Sequence, residues 1–399
     1  MIEVRYCILG AGPSGLTFAN RLWQAGETSF VLLEQEAEAG GLCRSAEVDG
    51  APLDIGGGHF LDVRRRRVLD FLFGFMPREE WVEHQRVATI QFGGREIDHP
   101  FEANLWQLPE AAQAEFLASI ARAGCVTGAP EPQEFAAWVR WKLGDRIADD
   151  YMLPYNRKMW CLPLDRLGTY WLHKLPNVSY AETLESCRRR AATGTLPAHG
   201  TFLYPRSHGY GEVWRRMAAA LGGRFVGGCP VTRIDPDARV VNGTYRYERL
   251  VSTIPWTIWR DAGALPAEIE RAVGELVHTS IDIDYVPEDR PTRAHWSYEP
   301  DERVTPHRRL LRHNFCAGAR GHWTETNAVR NGPAAHFRHR NEYAYPVNTR
   351  GKPAAMAAIA AWAGARGITP LGRWGRWEHM NSDVAVDQAL TAAEEARRG

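Results

Sequence analysis

Residues 4–34 constrain this chain more tightly than any other stretch. The apolar run Val4-Arg5-Tyr6-Cys7-Ile8-Leu9 enters Gly10-Ala11-Gly12-Pro13-Ser14-Gly15, a helical pattern continues to Trp23, and a second apolar run, Phe30-Val31-Leu32-Leu33, ends on Glu34. The order predicts a strand, a glycine turn, a helix and a second strand. Gly10 permits the turn, Gly12 lets the backbone approach a pyrophosphate, and Gly15 lets the helix sit close to the strand. The helix start at Pro13 and Ser14 then directs its free N–H groups at phosphate. Glu34 follows Gly15 by nineteen residues, with Gln35 beside it, where a carboxylate accepts hydrogen bonds from a ribose. A glycine fingerprint alone is a weak signal, but here both flanking strands and the acid are in register, which predicts dinucleotide binding.

A chain of 399 residues can bury a large core and favours two or three domains. Lysine plus arginine equals aspartate plus glutamate at 48 each, so no charge excess points to a nucleic-acid partner. The one basic run, Arg64 to Arg67, reads as the solvated first turn of a helix continuing through Val68, Leu69, Phe71 and Leu72. Seven cysteines without a CxxC pair suggest reduced thiols, a cytoplasmic setting and no zinc site. A strand beginning by residue 4 leaves no room for a signal peptide, and no apolar run approaches a membrane span.

Two further glycine segments follow, Gly40-Gly41-Leu42-Cys43-Arg44 and Ile55-Gly56-Gly57-Gly58-His59. Glycines this dense outside a helix mark backbone pressed against a flat or phosphorylated group, and Arg44 can neutralise a pyrophosphate. Two ordinary loops remain the plainer reading of these segments by themselves. Residues 87–98 alternate as a hairpin about Gly93-Gly94. From Leu105 to Asp150 the apolar spacing is helical, whereas Pro154 interrupts Tyr151–Trp160, which reads as a loop whose aromatic rings either face a ligand or pack at a domain junction. Residues 230–234 and 239–241 predict a strand pair, and Tyr245 to Ile254 a strand returning to the dinucleotide sheet. A last helix is expected over Val384 to Arg397, with Ser382-Asp383 as its N-cap pair.

The glycine segments in this order resemble those of flavoproteins of the amine oxidase and pyranose mutase superfamily. Trp81–Arg86, Asp98–Asn104 and Pro154–Trp160 are similar to segments of the UDP-galactopyranose mutase family, especially its eukaryotic branch. So are Phe202–Pro205, Gly209–Trp214, Leu250–Pro255, His295–Pro300 with Arg308 beyond it, Tyr343–Val347 and Gly372–Trp377. The resemblance implies an α/β fold. A Rossmann-like FAD-binding domain comprises residues 1–80, 200–262 and 345–399, a helical nucleotide-sugar-binding domain 105–180 is inserted, and residues 81–104 and 263–344 form a second, antiparallel sheet domain.

The same resemblance implies a pyranose/furanose mutase acting on a nucleotide-linked sugar, with N5 of reduced FAD (FADH−) as nucleophile on the anomeric carbon. The alternative is an FAD-dependent oxidase or desaturase of the amine oxidase superfamily. His59, Arg308 and Arg373 take the catalytic roles, the two arginines as a clamp on the diphosphate. FAD falls to Gly10, Gly12, Pro13, Ser14, Gly15, Glu34, Gln35, Gly41, Leu42, Arg44, Gly57, Gly58, His59, Val231, Gly372, Arg373, Asn381, Ser382 and Asp383. The substrate falls to Phe101, Asn104, Tyr151, Tyr155, Asn156, Trp160, Tyr298, Arg308, Tyr345, Arg373 and His379.

Three departures from the family pattern bear on the substrate. His379 stands where a tyrosine is common, no arginine occurs around Leu175-Pro176-Asn177-Val178, where Lys174 is the nearest cation, and Asp98-His99 replaces an aromatic residue near the base. An acid at 98 suits a guanine edge, so the substrate is expected to be UDP- or GDP-linked. The implied partners are that nucleotide sugar and an external reductant such as NAD(P)H, with no nucleic acid and no membrane; a homodimer is compatible with the sequence.

Overall fold

The computed structural model describes residues 1–172, 178–193, 200–263, 265–333 and 336–398. The fingerprint forms β1 (Ile2–Leu9), α1 (Pro13–Gln24) and β2 (Phe30–Leu33). β1 pairs in parallel with β2 on one side and with Tyr245–Ser252 on the other. Phe225–Val226 extends the sheet beyond β2, and Ile368–Pro370 runs parallel to Tyr245–Ser252 on its far side.

Because strand side chains alternate, β1 serves two cores. Tyr6 and Ile8 pack with Leu16 and Leu22 of α1, with Met217 and with Leu390, whereas Cys7 and Leu9 pack with Trp256, Trp259, Ile359 and Trp362. All four residues of β2 are buried, as the unbroken apolar run requires of a parallel strand covered on both faces.

A second sheet has the strand order Phe337–Pro346, His278–Val286, His322–Asn327, Arg308–Leu310, Trp296–Tyr298, Ala88–Phe92, Arg95–Asp98. It is antiparallel except where Trp296–Tyr298 runs parallel to Ala88–Phe92. The hairpin closes through Gly93 and Gly94, both at positive φ. Helices Glu110–Ala121, Phe135–Ile147, Leu153–Trp160 and Tyr180–Arg189 stand beside this sheet around Phe116, Phe135, Val139 and Ile147. Among the described residues no helix is long and apolar enough to cross a membrane.

Three local expectations are corrected. Residues 151–160 are helical, because a wide π-turn over Ala148–Met152 precedes Pro154 and leaves it in the first turn of Leu153–Trp160, where a missing N–H is tolerated. Residues 230–233 are not strand: Asn242 Oδ1 accepts from the N–H groups of Thr232 (2.9 Å) and Arg233 (3.2 Å), so only Ile234–Asp235 pairs with Val240–Val241. The last helix spans Ser382–Arg398 and takes Ser382 and Asp383 into its first turn. Ser382 shares a hydrogen bond with Tyr210 (2.7 Å) and Asp383 accepts one from Arg65 (2.8 Å), which places both side chains away from a capping role.

Candidate functional site

A cavity of about 320 Å³ opens at the carboxyl ends of β1 and β2. Gly10, Gly12, Pro13, Ser14, Glu34, Gln35, Gly41, Leu42, Arg44, His59, Val231, Gly372, Arg373, Asn381 and Ser382 all line it. The fingerprint glycines differ in what they accommodate. Gly10 has φ +91°, and a Cβ on Gly15 would overlap the Gly10 carbonyl oxygen, so Gly15 sets the approach of α1 to β1. A Cβ on Gly12 would meet only the Gly41 Cα at 4.0 Å. Among the described residues nothing requires a bare backbone at Gly12, which is the position expected to touch a ligand. The first helical bond runs from Leu16 N–H to the Gly12 carbonyl (3.0 Å), so the N–H groups before it lack helical acceptors.

Glu34 is held rigidly at the cavity edge. Its carboxylate accepts from the N–H groups of Ala11 (2.7 Å) and Glu36 (3.1 Å). Burial pushes the carboxyl up and these two bonds pull it back. Arg44 pairs with Glu36 at 3.2 Å and donates to the Gly41 carbonyl. His59 Nδ1 donates to the Gly57 carbonyl (2.9 Å), and its ring lies nearly parallel to Tyr210 at 6.4 Å.

Gly15, Gly57, Gly58 and Asp383, expected at the cofactor, do not line the cavity. Gly57 and Gly58 instead wrap the carboxylate of Glu325. Gly58 N–H donates to Glu325 Oε1 (3.0 Å), and a Cβ on Gly57, at φ +95°, would stand 2.7 Å from the same oxygen. The carboxylate of Asp383 is drawn to Arg65.

A second cavity, of about 280 Å³, lies between the helical segment and the second sheet. Phe101, Tyr151, Tyr155, Asn156, Trp160, Tyr298, Arg308, Tyr345 and His379 line it, together with His99, Glu102, Trp138, Lys142 and His307. Arg308 forks onto Glu325, Nε to Oε2 and Nη2 to Oε1, both at 2.7 Å, and reaches Tyr345 Oη at 3.4 Å. Burial opposes this guanidinium's charge, but Glu325 and the surrounding tyrosine oxygens outweigh it and hold the group well above its ordinary value. Burial also raises the phenols of Tyr151, Tyr155 and Tyr345, so they stay protonated and can donate to an anion.

Three polar residues expected at the substrate are engaged elsewhere. Asn104 does not line the cavity, because its amide donates to the Pro100 carbonyl at 2.9 Å. Asp98 also lies off the cavity, its carboxylate taken by Gln107 (2.8 Å) and Arg293 (3.1 Å), which removes it as a reader of a guanine edge. Asn156 lines the wall, yet its amide bonds the Met152 carbonyl and Trp160 Nε1. Lys174 and residues 175–177 lie outside the described residues.

Lining residues of the two cavities come close at Arg373 and Tyr345. Arg373 and Met380 line the first, Tyr345 and His379 the second. The Arg373 guanidinium lies 5.8 Å from the Tyr345 ring centre, and the His379 ring is 5.0 Å from it. Arg373 donates to the carbonyls of Ala344 (2.9 Å) and Met380 (2.7 Å), which ties the end of a second-sheet strand to the segment before the last helix. Sequence reasoning missed Glu325, Glu102, Lys142 and Thr253, whose hydroxyl bonds the Leu9 carbonyl at the first cavity. Glu102 and Thr253 sit inside recognisable segments, 98–104 and 250–255, but no local pattern marks Glu325 or Lys142.

A family model described as an NAD(P)-binding Rossmann-like domain matches residues 8–73. Among solved structures, a reduced UDP-galactopyranose mutase superposes with a TM-score of 0.89 at 23% identity, covering 100% of this chain and 94% of that one. A putative protoporphyrinogen oxidase from Exiguobacterium sp. 255-15 superposes with a TM-score of 0.72 at 16% identity, covering 99% of each chain. Cyclohexylamine oxidase from Brevibacterium oxydans IH-35A gives 0.65 at 17%, covering 99% of this chain and 100% of that one. The chain therefore has the Rossmann-like α/β fold that UDP-galactopyranose mutase shares with these oxidases.

Proposed function

We propose that this chain is a flavin-dependent isomerase that interconverts the pyranose and furanose forms of a nucleotide-linked sugar. One observation carries the reading: a dinucleotide-type cavity comes close, at Arg373 and Tyr345, to a second cavity that offers an anion Arg308 and several protonated phenols. Gly12, Ser14, Glu34, Leu42, Val231, Gly372, Asn381 and Ser382 would hold FAD. The bare backbone at Gly12 and the helical N–H groups behind it fit a pyrophosphate. When bound and reduced, that cofactor supplies a nucleophile and an electron reservoir for a reaction with no net redox change.

The chain's own residues perform the remaining work. Arg308 and Tyr345 hold the diphosphate as it leaves and returns, and Glu325 keeps Arg308 charged and correctly turned. Arg373 adds positive charge from the cofactor side. Tyr298 offers a further hydroxyl on the same wall, and Tyr155 and Trp160 line the cavity on the side of Arg308 where the nucleoside would lie. An amine substrate would meet like charge at Arg308, which disfavours the oxidase alternative at this site.

The test incubates purified protein and FAD with UDP- and GDP-sugars, with and without dithionite, and separates pyranose from furanose products. Conversion only under reduction is expected. Hydrogen peroxide released from an amine, with no isomerisation of any nucleotide sugar, overturns the reading in favour of the oxidase.

A further inference from the structure

The lining of the second cavity includes a carboxyl group that the mechanism does not use, near Tyr151 and Lys142. Glu102 is 8% exposed, lines the cavity, and among the described residues is bonded only to its own backbone N–H. A series of ring contacts connects it with Arg308. Phe101, next in the chain to Glu102, lies 5.3 Å from Tyr151, Tyr151 lies 6.3 Å from Tyr155, and Tyr155 reaches Tyr298 at 5.6 Å, beside Arg308. A nucleoside diphosphate with its phosphates at Arg308 would therefore run its base along these faces toward Glu102. Flat apolar rings stack on any base and do not choose among them. The choice falls to the polar group beside them.

We infer, resting on the nucleotide-sugar reading above, that Glu102 recognises the base and selects guanine. A carboxylate is acceptor-only and is best satisfied by two adjacent N–H donors. Guanine presents such a pair on its N1 and N2 edge. Uracil presents one N–H between two carbonyl oxygens, cytosine and adenine an amino group beside a bare ring nitrogen, and each sets an acceptor against the carboxylate. Burial pushes the Glu102 carboxyl up to about 7, opposed by its own backbone N–H and the nearby Lys142 cation. Two ligand N–H bonds replace the lost water and favour the ionised form.

The experiment measures binding of GDP, IDP and UDP to the FAD-reconstituted protein at about pH 8, where the Glu102 carboxyl is largely ionised. Wild type is expected to bind GDP at least about tenfold more tightly than UDP, with IDP, which lacks the N2 amino group, in between. Glu102→Gln replaces one acceptor oxygen by a donor, keeps the side-chain shape, and should bring GDP and UDP to within about threefold of each other. UDP binding as tightly as GDP in wild type, or an unchanged ratio in Glu102→Gln, overturns the inference while leaving the nucleotide reading intact. If none of the three diphosphates binds, both fall together.

Discussion

Glu325→Ala is expected to lose about 3–5 kcal/mol of folding stability, the cost of breaking a buried ion pair from one side. Glu325 is 1% exposed, and its two oxygens accept from Arg308 Nε and Nη2 and from Gly58 N–H. Truncation leaves a guanidinium in a poorly solvated wall without its counter-charge and an N–H group without its acceptor. Both defects sit where the turn carrying His59 meets the strand carrying Arg308, so the injury reaches both cavities. Glu325→Gln keeps one acceptor oxygen and should lose less, about 1–3 kcal/mol. Urea unfolding of the three proteins provides the check. An alanine variant within about 1 kcal/mol of wild type would mean that water already reaches the pair.

The second large effect separates two glycines three residues apart. Gly15→Ala drives a methyl group into the Gly10 carbonyl, backbone against backbone, so folded protein should not accumulate. Gly12→Ala should fold with stability within about 1 kcal/mol of wild type, because φ is −75° there and the new Cβ has 4.0 Å to its nearest neighbour. It should nevertheless fail to bind FAD, since the methyl group would occupy the surface a pyrophosphate approaches. Unfolding midpoints together with the flavin absorbance retained after reconstitution and desalting resolve the pair. Flavin retention by Gly12→Ala at the wild-type level would remove the glycine turn from cofactor binding.

The partly buried Asp98 and the buried Glu102 on either side of residue 100 show how far the chain could be read locally. Asp98 and Glu102 flank the same His99-Pro100-Phe101 segment, and pattern favoured Asp98 as the reader of a base. Asp98 ends a strand whose outward side chain finds Gln107 and Arg293, whereas Glu102 lies in the turn beyond it, under the helical segment that roofs the cavity. No short window contains that roof. The same holds for Tyr151–Trp160, where local reasoning stopped at Pro154 and overlooked the π-turn before it that makes the helix possible.

What the sequence alone determined is the strand, glycine turn, helix and strand of residues 4–34, the hairpin about Gly93-Gly94, and the place of Gly10, Gly12, Ser14 and Glu34 at the first cavity. These depend on turn conformations and side-chain periods that a few neighbouring residues set among themselves. Only the tertiary structure decided that Glu325 would be shared by Gly58 and Arg308, that Tyr345 of the second cavity would come close to Arg373 of the first, and that Glu102 rather than Asp98 would face the second one. Each of those facts requires segments tens to hundreds of residues apart to meet, and the burial of one surface against another that brings them together leaves no periodic trace in either segment.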